Sequence, residues 1–296
     1  MAHYIGGHPI DTGGIDRAVR RAAAAGMRAV QLFTAPPMYY NDKMSVRPER
    51  VTRFRDALEA TGIAPERVLV HAAYVLNTAS AEADKGERAA VALGKELERT
   101  SALGAFACCF HPGSSGKGDP ASAIDRVGDA IVRALERVPS GARVLIENTA
   151  GAGNTVGKTA AEVAAMLARV PASLRGRTGY GLDTCHLFAA GLDIASSPDA
   201  LRAVLDEFAA ATGENPSFFH LNDSAGAFGS NRDRHTLIGE GAIGVDPFRW
   251  LLGDPRAEGI PLILETPQAN PDIAEDDLSA DPADARMVAL LGEMLA

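Results

Sequence analysis

Histidine and carboxylate side chains recur at regular intervals along this chain, each at the end of a short apolar run. The runs are VLVH, FACCFH, VLIE, GYGLD, SFFH and LILE, which end at His71, His111, Glu147, Asp183, His220 and Glu265. Successive members of this set are 40, 36, 36, 37 and 45 residues apart. The motifs DTCH and DRH add His186, Asp233 and His235. Imidazole and carboxylate groups are the ligands that zinc and related divalent metal ions take in proteins.

The number of candidate ligands indicates more than one metal ion. A tetrahedral zinc ion takes four ligands, whereas five histidines and four carboxylates would supply two or three ions that share a bridging carboxylate. The mixture suits Zn²⁺ and tolerates Mn²⁺ or Fe²⁺, but it is too rich in imidazole for Mg²⁺. Such a cluster suits phosphoester hydrolysis, because one ion activates water while others neutralise the phosphate and the leaving oxygen.

Each of these residues also has an ordinary structural explanation. A single histidine at a strand end is more often a hydrogen-bonded polar residue than a ligand, and a single buried glutamate needs only a partner. If all of them lie together in one site without water, however, burying so many ionisable groups without cations costs much free energy. Their combination therefore favours metal binding. Cys108, Cys109 and Cys185 are expected to pack in the core, and His8 is expected to be a donor behind the ligands.

The apolar runs are predicted to be strands, with two more upstream at Tyr4–His8 and Ala29–Phe33. Between the strands, apolar residues at helical spacing predict helices over Asp16–Ala25, Pro48–Thr61, Glu87–Leu103, Ala123–Val138, Thr159–Val170, Pro198–Ala211 and Ala283–Leu295. Glycines that follow predicted helices are expected to be C-caps: Gly26, Gly62, Gly104 and Gly141.

Eight strands that alternate with helices predict an α/β fold of the (β/α)8 TIM barrel type, as a single domain over residues 1–296. The C-terminal ends of all strands of a closed parallel barrel face one mouth, so the six strand-end residues are expected to converge there. An open doubly wound sheet would instead spread them along an edge.

Composition narrows the function classes. The 296 residues carry a formal net charge of −9, which argues against a protein that coats DNA through a broad basic face but not against a metal-dependent DNA enzyme. The three cysteines exclude a disulfide framework. We find neither a membrane-spanning run nor a secretory signal, so we expect a cytoplasmic protein without a membrane partner. A monomer with no obligate protein partner is the expected state.

Long motifs resemble endonuclease IV. They are YIGGH near the start, HAAYVLN from His71, HPGSS from His111, IENTAGAGNTVG from Ile146, LDTCHLFAAGLD from Leu182, HLNDSAGAFGSNRDRHTLIGEGAIG from His220 and PLILETP from Pro261. The similarity covers nearly the whole chain in the order of that family.

The resemblance implies a (β/α)8 barrel with three zinc ions. Such an enzyme incises the DNA backbone 5′ to abasic sites, leaves a 3′-hydroxyl and a 5′-deoxyribose phosphate, and trims blocked 3′ ends. By resemblance, His71, His111 and Glu147 hold the first zinc ion. Glu147 bridges to the second, which Asp183, His220 and Glu265 complete, and His186, Asp233 and His235 hold the third. Glu265 would also orient or deprotonate the attacking water, so Glu147 and Glu265 are the predicted catalytic residues.

The predicted DNA contacts depart from the family in two places. Many members have an arginine near Met38, where this chain has Met38, Tyr39 and Tyr40. Either these side chains unstack the duplex as an apolar wedge or the tyrosines only pack the loop. The family often has a lysine where Ala225 stands here. Tyr74 matches a residue that lines the lesion pocket, and the remaining candidates for phosphate contacts are Arg234, Arg232, Lys117 and Lys43.

Two other functions compete with a nuclease. Sugar isomerases and epimerases share the barrel and bind one or two metal ions at strand ends, but they have no evident need for nine ligands. A barrel that keeps its metal ions and only binds DNA, without turnover, is the second alternative.

Overall fold

The computed structural model of the chain describes residues 2–36, 38 and 46–296. Its strands are β1 (Tyr4–Gly7), β2 (Ala29–Phe33), β3 (Val68–His71), β4 (Ala107–Phe110), β5 (Arg143–Glu147), β6 (Thr178–Asp183), β7 (Phe219–His220), β8 (Asp223–Ser224), β9 (His235–Thr236) and β10 (Pro261–Leu264). Eight of them close into a parallel barrel, in which β10 lies between β7 and β1. The predicted single-domain TIM barrel is therefore confirmed. The short strands β8 and β9 form a separate antiparallel pair above the barrel.

The helices alternate with the strands as predicted. They are α1 (Ile15–Ala24), α2 (Pro48–Thr61), α3 (Ala83–Leu103), α4 (Pro120–Arg137), α5 (Ala160–Ala168), α6 (Ala172–Arg175), α7 (Thr184–Ala189), α8 (Pro198–Thr212), α9 (Asp246–Leu252) and α10 (Pro282–Met294). None of those in the described part of the chain combines the length and apolarity that a bilayer crossing requires.

Local signals account for several helix ends. Helix α2 keeps its predicted bounds, because Pro48 occupies its first turn and Gly62 ends it at a left-handed φ of 71°. Gly104 ends α3 in the same way, with a φ of 79°. The prediction for Gly141 is wrong, since α4 ends at Arg137 and Val138 is its C-cap.

An apolar layer fills the barrel directly below the predicted ligands. Leu69, Cys109, Leu145 and Phe218 are fully buried members of this layer. Leu69, Leu145 and Phe218 each lie two residues before a predicted ligand on the same chain segment, so side chains of both kinds point into the barrel. The ring of Phe218 lies against Gly181, where an added Cβ would be 2.1 Å from it. The layer fills the barrel beneath the mouth, so water cannot reach the ligand groups from the opposite end of the barrel.

Candidate metal centre

The strand ends deliver the predicted ligands to one mouth. His71, Glu147, Asp183 and His220 are the last residues of β3, β5, β6 and β7, and His111 and Glu265 follow β4 and β10 by one residue. Register keeps neighbours level, because Asp183 pairs with His220 across β6 and β7. The predicted strands that end at His111 and Glu265 thus run one residue past the observed ends of β4 and β10, and both side chains lie just above the sheet.

The first ligand group is His71, His111 and Glu147. The Oε2 atom of Glu147 lies 3.1 Å from Nε2 of His71 and 3.2 Å from Nε2 of His111. His71 and Glu147 are buried, whereas a quarter of the His111 side chain is exposed. One ligand atom from each residue lies within 4.8 Å of the others, as ligands of one ion do.

The second ligand group is Glu147, Asp183, His220 and Glu265. The Nδ1 atom of His220 lies 2.9 Å from Oε1 of Glu147, 3.2 Å from Oε2 of Glu265 and 3.9 Å from Oδ2 of Asp183. Glu147 therefore presents one carboxylate oxygen to each of the first two groups. This is the geometry of a bridging carboxylate, the role that the resemblance implies for it.

The third ligand group is His186, Asp233 and His235. Asp183 begins α7 as its N-cap and accepts a hydrogen bond from the backbone N–H of His186 at 2.8 Å, which brings the predicted i, i+3 pair together. The carboxylate of Asp233 lies 3.2 Å from Nε2 of His186 and 3.1 Å from Nε2 of His235. Asp183 also lies 3.6 Å from Nε2 of His235, so it stands between the second and third groups.

The third group fits a metal ion better than it fits a hydrogen-bonded cluster. The Nε2 atoms of His186 and His235 are buried and form no hydrogen bond of suitable geometry with any residue that the structure describes, although Asp233 oxygens are close. The other ring nitrogen of His186 lies 2.8 Å from the carbonyl oxygen of Asn148, to which it can donate. Its Nε2 lone pair then faces the group, which is the usual arrangement of a histidine ligand.

The carboxylates make the mouth strongly attractive to positive charge. Burial alone would lower the pKa of His220, yet Glu147 and Glu265 raise it to about 9. Burial alone would likewise raise the pKa of Glu147, but His220 and His111 hold it well below its usual range. The same balance, with Asp183 the main acidic neighbour, raises the pKa of His235 to about 9. Bound divalent cations would neutralise the negative charge of these carboxylates.

Three asparagine and aspartate residues support the ligands and were not predicted from the sequence. Asn148 accepts a hydrogen bond from the backbone N–H of Asp183 at 2.7 Å. Asn222 donates to Oδ2 of Asp183 at 2.6 Å and accepts from the backbone N–H of Glu265 at 2.9 Å. They occur in the motifs IENT and HLND, one or two residues after a predicted ligand, and that proximity was the available signal.

Asp223 is the third of these residues. Its buried carboxylate accepts hydrogen bonds from five backbone N–H groups, those of Ser224, Gly239, Gly241, Ile243 and Gly244. These bonds fold the segment after β9 back onto β8. The pair β8–β9 carries His235, so Asp223 fixes the platform of the third group from below.

Comparisons with known proteins agree with this geometry. A family model described as a xylose isomerase-like TIM barrel matches residues 19–283. Probable endonuclease 4 of Chloroflexus aurantiacus (strain ATCC 29366 / DSM 635 / J-10-fl) is 37% identical over 277 residues, which are 93% of this chain and 94% of that protein. Probable endonuclease 4 of Trichlorobacter lovleyi is 35% identical over 276 residues, covering 92% and 95%. The chain belongs to the endonuclease IV family.

Solved structures place this endonuclease IV family member in the same fold. The crystal structure of endonuclease IV from Thermus thermophilus matches with a TM-score of 0.82 and 33% identity, over 99% of both chains. A D-tagatose 3-epimerase-like protein matches with a TM-score of 0.70 at 16% identity, over 99% and 97% of the two chains. The second match concerns the fold alone, which sugar epimerases share.

Two cysteines of this protein lie beside the ligand groups. Cys109 is near Glu147 and His220, and Cys185 is near Asp233 and His235. Burial raises the pKa of the Cys109 thiol well above its usual range and that of Cys185 to about 11. Both therefore stay protonated at neutral pH. Cys109 also belongs to the apolar layer inside the barrel, in agreement with the predicted packing role.

The predicted DNA contacts lie around the mouth. Tyr74 is half exposed and lines a cavity of about 260 Å³ together with His111, His186 and Asp233. The exposed Arg234 donates to the carbonyl oxygen of Asp233 at 2.6 Å. Arg232 and Lys117 are exposed as well. Met38 is exposed over 64% of its surface. Tyr39, Tyr40 and Lys43 lie outside the described residues.

Proposed function

We propose that this protein is a metal-dependent DNA repair phosphodiesterase that incises the backbone 5′ to abasic sites. It leaves a 3′-hydroxyl and a 5′-deoxyribose phosphate and also trims blocked 3′ ends, in double-stranded DNA and as a monomer. The observation that carries the proposal is the convergence of three ligand groups, joined through Glu147 and Asp183, at one barrel mouth. Membership of the endonuclease IV family supports the choice of DNA as substrate.

The nine ligand residues would hold three zinc ions, with Mn²⁺ or Fe²⁺ as substitutes. Glu147 would bridge the first and second ions, since its two oxygens face different groups. Zinc ions in such a cluster lower the pKa of water and neutralise charge on the phosphate and on the departing oxygen. Asp183 would complete the second site and support the third through its position between them.

Glu265 would orient or deprotonate the attacking water. Gln31 donates to its Oε1 atom at 2.5 Å, which turns Oε2 toward His220 and the second ligand group. The side-chain oxygen of Asn222 accepts a hydrogen bond from the backbone N–H of Glu265 and so fixes the backbone there. With both its backbone and its carboxylate held, Glu265 loses little freedom when substrate arrives, which favours a role in positioning the nucleophile.

The chain's own residues would also recognise the lesion. Tyr74 lies beside the cavity that opens onto the ligand groups, where it would contact a nucleotide turned out of the duplex. Extrusion is easiest at an abasic site because no base is stacked or paired there. Met38, Tyr39 and Tyr40 would act as an apolar wedge in the duplex, and Arg234 would contact phosphate. Positive charge in the mouth would come chiefly from the metal ions, because the chain is acidic overall.

Incision of a labelled duplex with one synthetic abasic analogue tests this proposal. An undamaged duplex is the substrate control, and a third reaction receives protein that has been incubated for a long time with a chelator. Incision 5′ to the lesion that the chelator abolishes and added zinc restores is the expected result. Cleavage on the 3′ side, or incision that survives complete metal removal, would overturn it.

Metal analysis and a second substrate separate the alternatives. About three zinc equivalents are expected per chain, and a duplex with a blocked 3′ end should be trimmed. Fully metallated protein that binds the abasic duplex without cutting would be a DNA-binding barrel without turnover. Fully metallated protein that ignores DNA and converts ketose sugars would be an epimerase.

A further inference from the structure

Gln31 lies inside the barrel between the apolar layer and the second ligand group. It is the third residue of β2 and is completely buried. Its Nε2 atom lies 2.5 Å from Oε1 of Glu265 and 3.1 Å from Nδ1 of His8. Its Oε1 atom lies 2.8 Å from Nε2 of His220 and 3.8 Å from Sγ of Cys109. Neighbouring side chains therefore occupy all four hydrogen-bonding positions of the amide.

The orientation of this amide is fixed by its neighbours. The carboxylate of Glu265 can only accept hydrogen bonds, so the amide nitrogen must face it. The opposite orientation would place the amide oxygen against that carboxylate and leave both acceptors without a proton. The amide oxygen consequently faces His220, which must donate to it from Nε2.

This hydrogen bond decides which nitrogen of His220 is free to bind metal. With the proton on Nε2, the lone pair of the neutral ring lies on Nδ1. That atom faces Oε1 of Glu147 at 2.9 Å and Oε2 of Glu265 at 3.2 Å, both of them acceptors. A lone pair cannot face two carboxylate oxygens alone, so either a proton or a cation must lie between them. A cation in that place would make His220 a ligand of the second ion through Nδ1.

Two other histidines of the centre are oriented by the backbone. Nδ1 of His71 lies 2.7 Å from the carbonyl oxygen of Ala72, and Nδ1 of His186 lies 2.8 Å from that of Asn148. Backbone carbonyls thus direct the Nε2 atoms of these rings into the centre. Among the partners that the described residues supply, His220 differs because a replaceable side chain sets its tautomer.

His8 completes the chain of contacts behind Gln31. Burial lowers the pKa of His8 to about 4, so its ring is neutral at physiological pH. A neutral ring can accept at Nδ1 from the second N–H of the Gln31 amide. The expected role of His8 as a donor behind the ligands is therefore changed to that of an acceptor from Gln31.

We propose that Gln31 is a positioning residue that prepares two ligands of one metal ion, by directing Nδ1 of His220 and Oε2 of Glu265 into the second ligand group. This inference rests on the metal centre of the proposed function. The Gln31 amide would fix the tautomer of His220, as backbone carbonyl oxygens fix those of His71 and His186. Loss of the amide should therefore weaken the second site and leave the first and third in place.

Gln31→Met tests this proposal, because it keeps the volume of the side chain and removes both hydrogen-bonding groups. Zinc equivalents per chain would be measured during titration with a chromophoric chelator. We expect the affinity of one of three sites to fall about tenfold to a hundredfold, as for other residues that support metal ligands. Gln31→Glu, which can still accept from His220 but cannot donate to Glu265, should keep the His220 tautomer and lower the incision rate.

Spectra of ¹⁵N-histidine-labelled, zinc-loaded protein provide a readout that does not depend on activity. In wild type, one zinc-bound histidine should carry its proton on Nε2, and His220→Ala assigns that signal. In Gln31→Met the signal should shift or broaden. Gln268→Met is the matched control, since it makes the same change outside the centre and should retain all three sites.

The outcomes distinguish this inference from the proposed function. Wild-type protein that binds no zinc overturns the metal centre and the inference together. Wild-type and Gln31→Met proteins with three equally tight sites and the same histidine spectrum overturn the inference alone. Circular dichroism checks that the variant folds, and a folded Gln31→Met protein that loses all three sites equally would also contradict the assignment to one site.

Discussion

Glu96 and Arg99 form a buried ion pair that contacts Thr34, the residue directly after β2. Both side chains lie on α3, three residues apart, and both are at least 94% buried. Together they hold Thr34, whose hydroxyl donates to Glu96 at 2.5 Å and accepts from Nε of Arg99 at 2.9 Å. Thr34 directly follows β2, and the residues after it include Met38. The pair therefore anchors the root of the segment proposed to enter the duplex.

Glu96→Gln should weaken both the fold and DNA binding. Removing one charge of a buried pair leaves the other charge poorly compensated, which costs about 3 kcal/mol in the free energy of unfolding. Urea unfolding measures that loss, and the Kd for an abasic duplex measures the effect on the loop. We expect binding to weaken because the root of the loop is no longer held.

Glu98→Gln is the matched control for this prediction. Glu98 lies on the same helix but pairs at the surface with Arg137 at 2.8 Å, where an ion pair contributes below about 1 kcal/mol. Equal destabilisation by the two substitutions would show that the buried ion pair contributes no more to the free energy of unfolding than the surface pair. Weaker folding with unchanged DNA affinity would separate the pair from the loop.

Glu265→Gln should preserve the fold and reduce incision by orders of magnitude. The amide keeps the volume of the carboxylate but loses the charge that faces His220 and the capacity to take a proton. Single-turnover incision of an abasic duplex measures the rate, and zinc analysis shows whether the variant is loaded. A near-normal rate in a fully loaded variant would remove the proposed role in orienting or deprotonating water.

Asp223→Asn should loosen the platform of the third ligand group. An asparagine oxygen cannot replace a carboxylate that accepts five backbone N–H groups, and its own N–H₂ would face those donors. We expect a loss of at least about 2 kcal/mol in the free energy of unfolding. Zinc analysis should show one equivalent lost, because His235 lies on the strand that this carboxylate supports.

The control is Asp193→Asn, in an exposed turn where Asp193 accepts from the backbone N–H groups of Ala195 and Ser196. Asparagine serves such turns well, so the change should be about 0.5 kcal/mol or less. Retention of three zinc ions by Asp223→Asn would show that the third group does not depend on this platform.

Much of the fold and site could be predicted because a parallel barrel imposes strong constraints. His71, Glu147, Asp183 and His220 end strands, and closure of the barrel brings all strand ends to one mouth whatever the loops do. The pairing of Asp183 with His186 followed from one turn of helix. These inferences needed only the order of elements and the periodicity of each.

The supporting residues could not be predicted in the same way. Gln31 lies in the middle of the run AVQLF, where a polar residue inside a strand gives no sign of its four partners. Asp223 depends on the path of a segment up to 21 residues further along the chain. The position of Asp183 between two groups depends on where the pair β8–β9 places His235. The contacts of Asp223 and His235 arise from loop conformation, and those of Gln31 from side-chain packing inside the barrel; periodicity encodes neither.

Asp284→Asn should change how stability depends on pH. Burial on α10 raises the pKa of the Asp284 carboxyl from 3.8 to about 6, and a hydrogen bond from Gln268 offsets only part of this effect. Between about pH 4 and 6 the folded protein therefore holds a proton that the unfolded chain releases. Its contribution makes wild type less stable as pH rises through that window, by up to about 3 kcal/mol.

Asparagine carries no charge at any of these pH values, so the variant should gain stability relative to wild type as pH rises from about 4.5 to about 7.5. Urea unfolding at both pH values measures the difference. Asp272→Asn, at an exposed position on the loop before α10, should leave the pH dependence as in wild type. A constant offset between Asp284→Asn and wild type would contradict the raised pKa.

Met38→Arg should strengthen binding to an abasic duplex. The Met38 side chain is 64% exposed, so a longer side chain has room, and the new charge adds one phosphate contact to an acidic protein. The slope of log K against log salt should steepen by about 0.9. Met38→Gln, which changes polarity without adding charge, should leave that slope unchanged. If Met38→Arg binds no more tightly at low salt, then the neighbouring tyrosines or another loop already supply what the arginine gives to other members of the family.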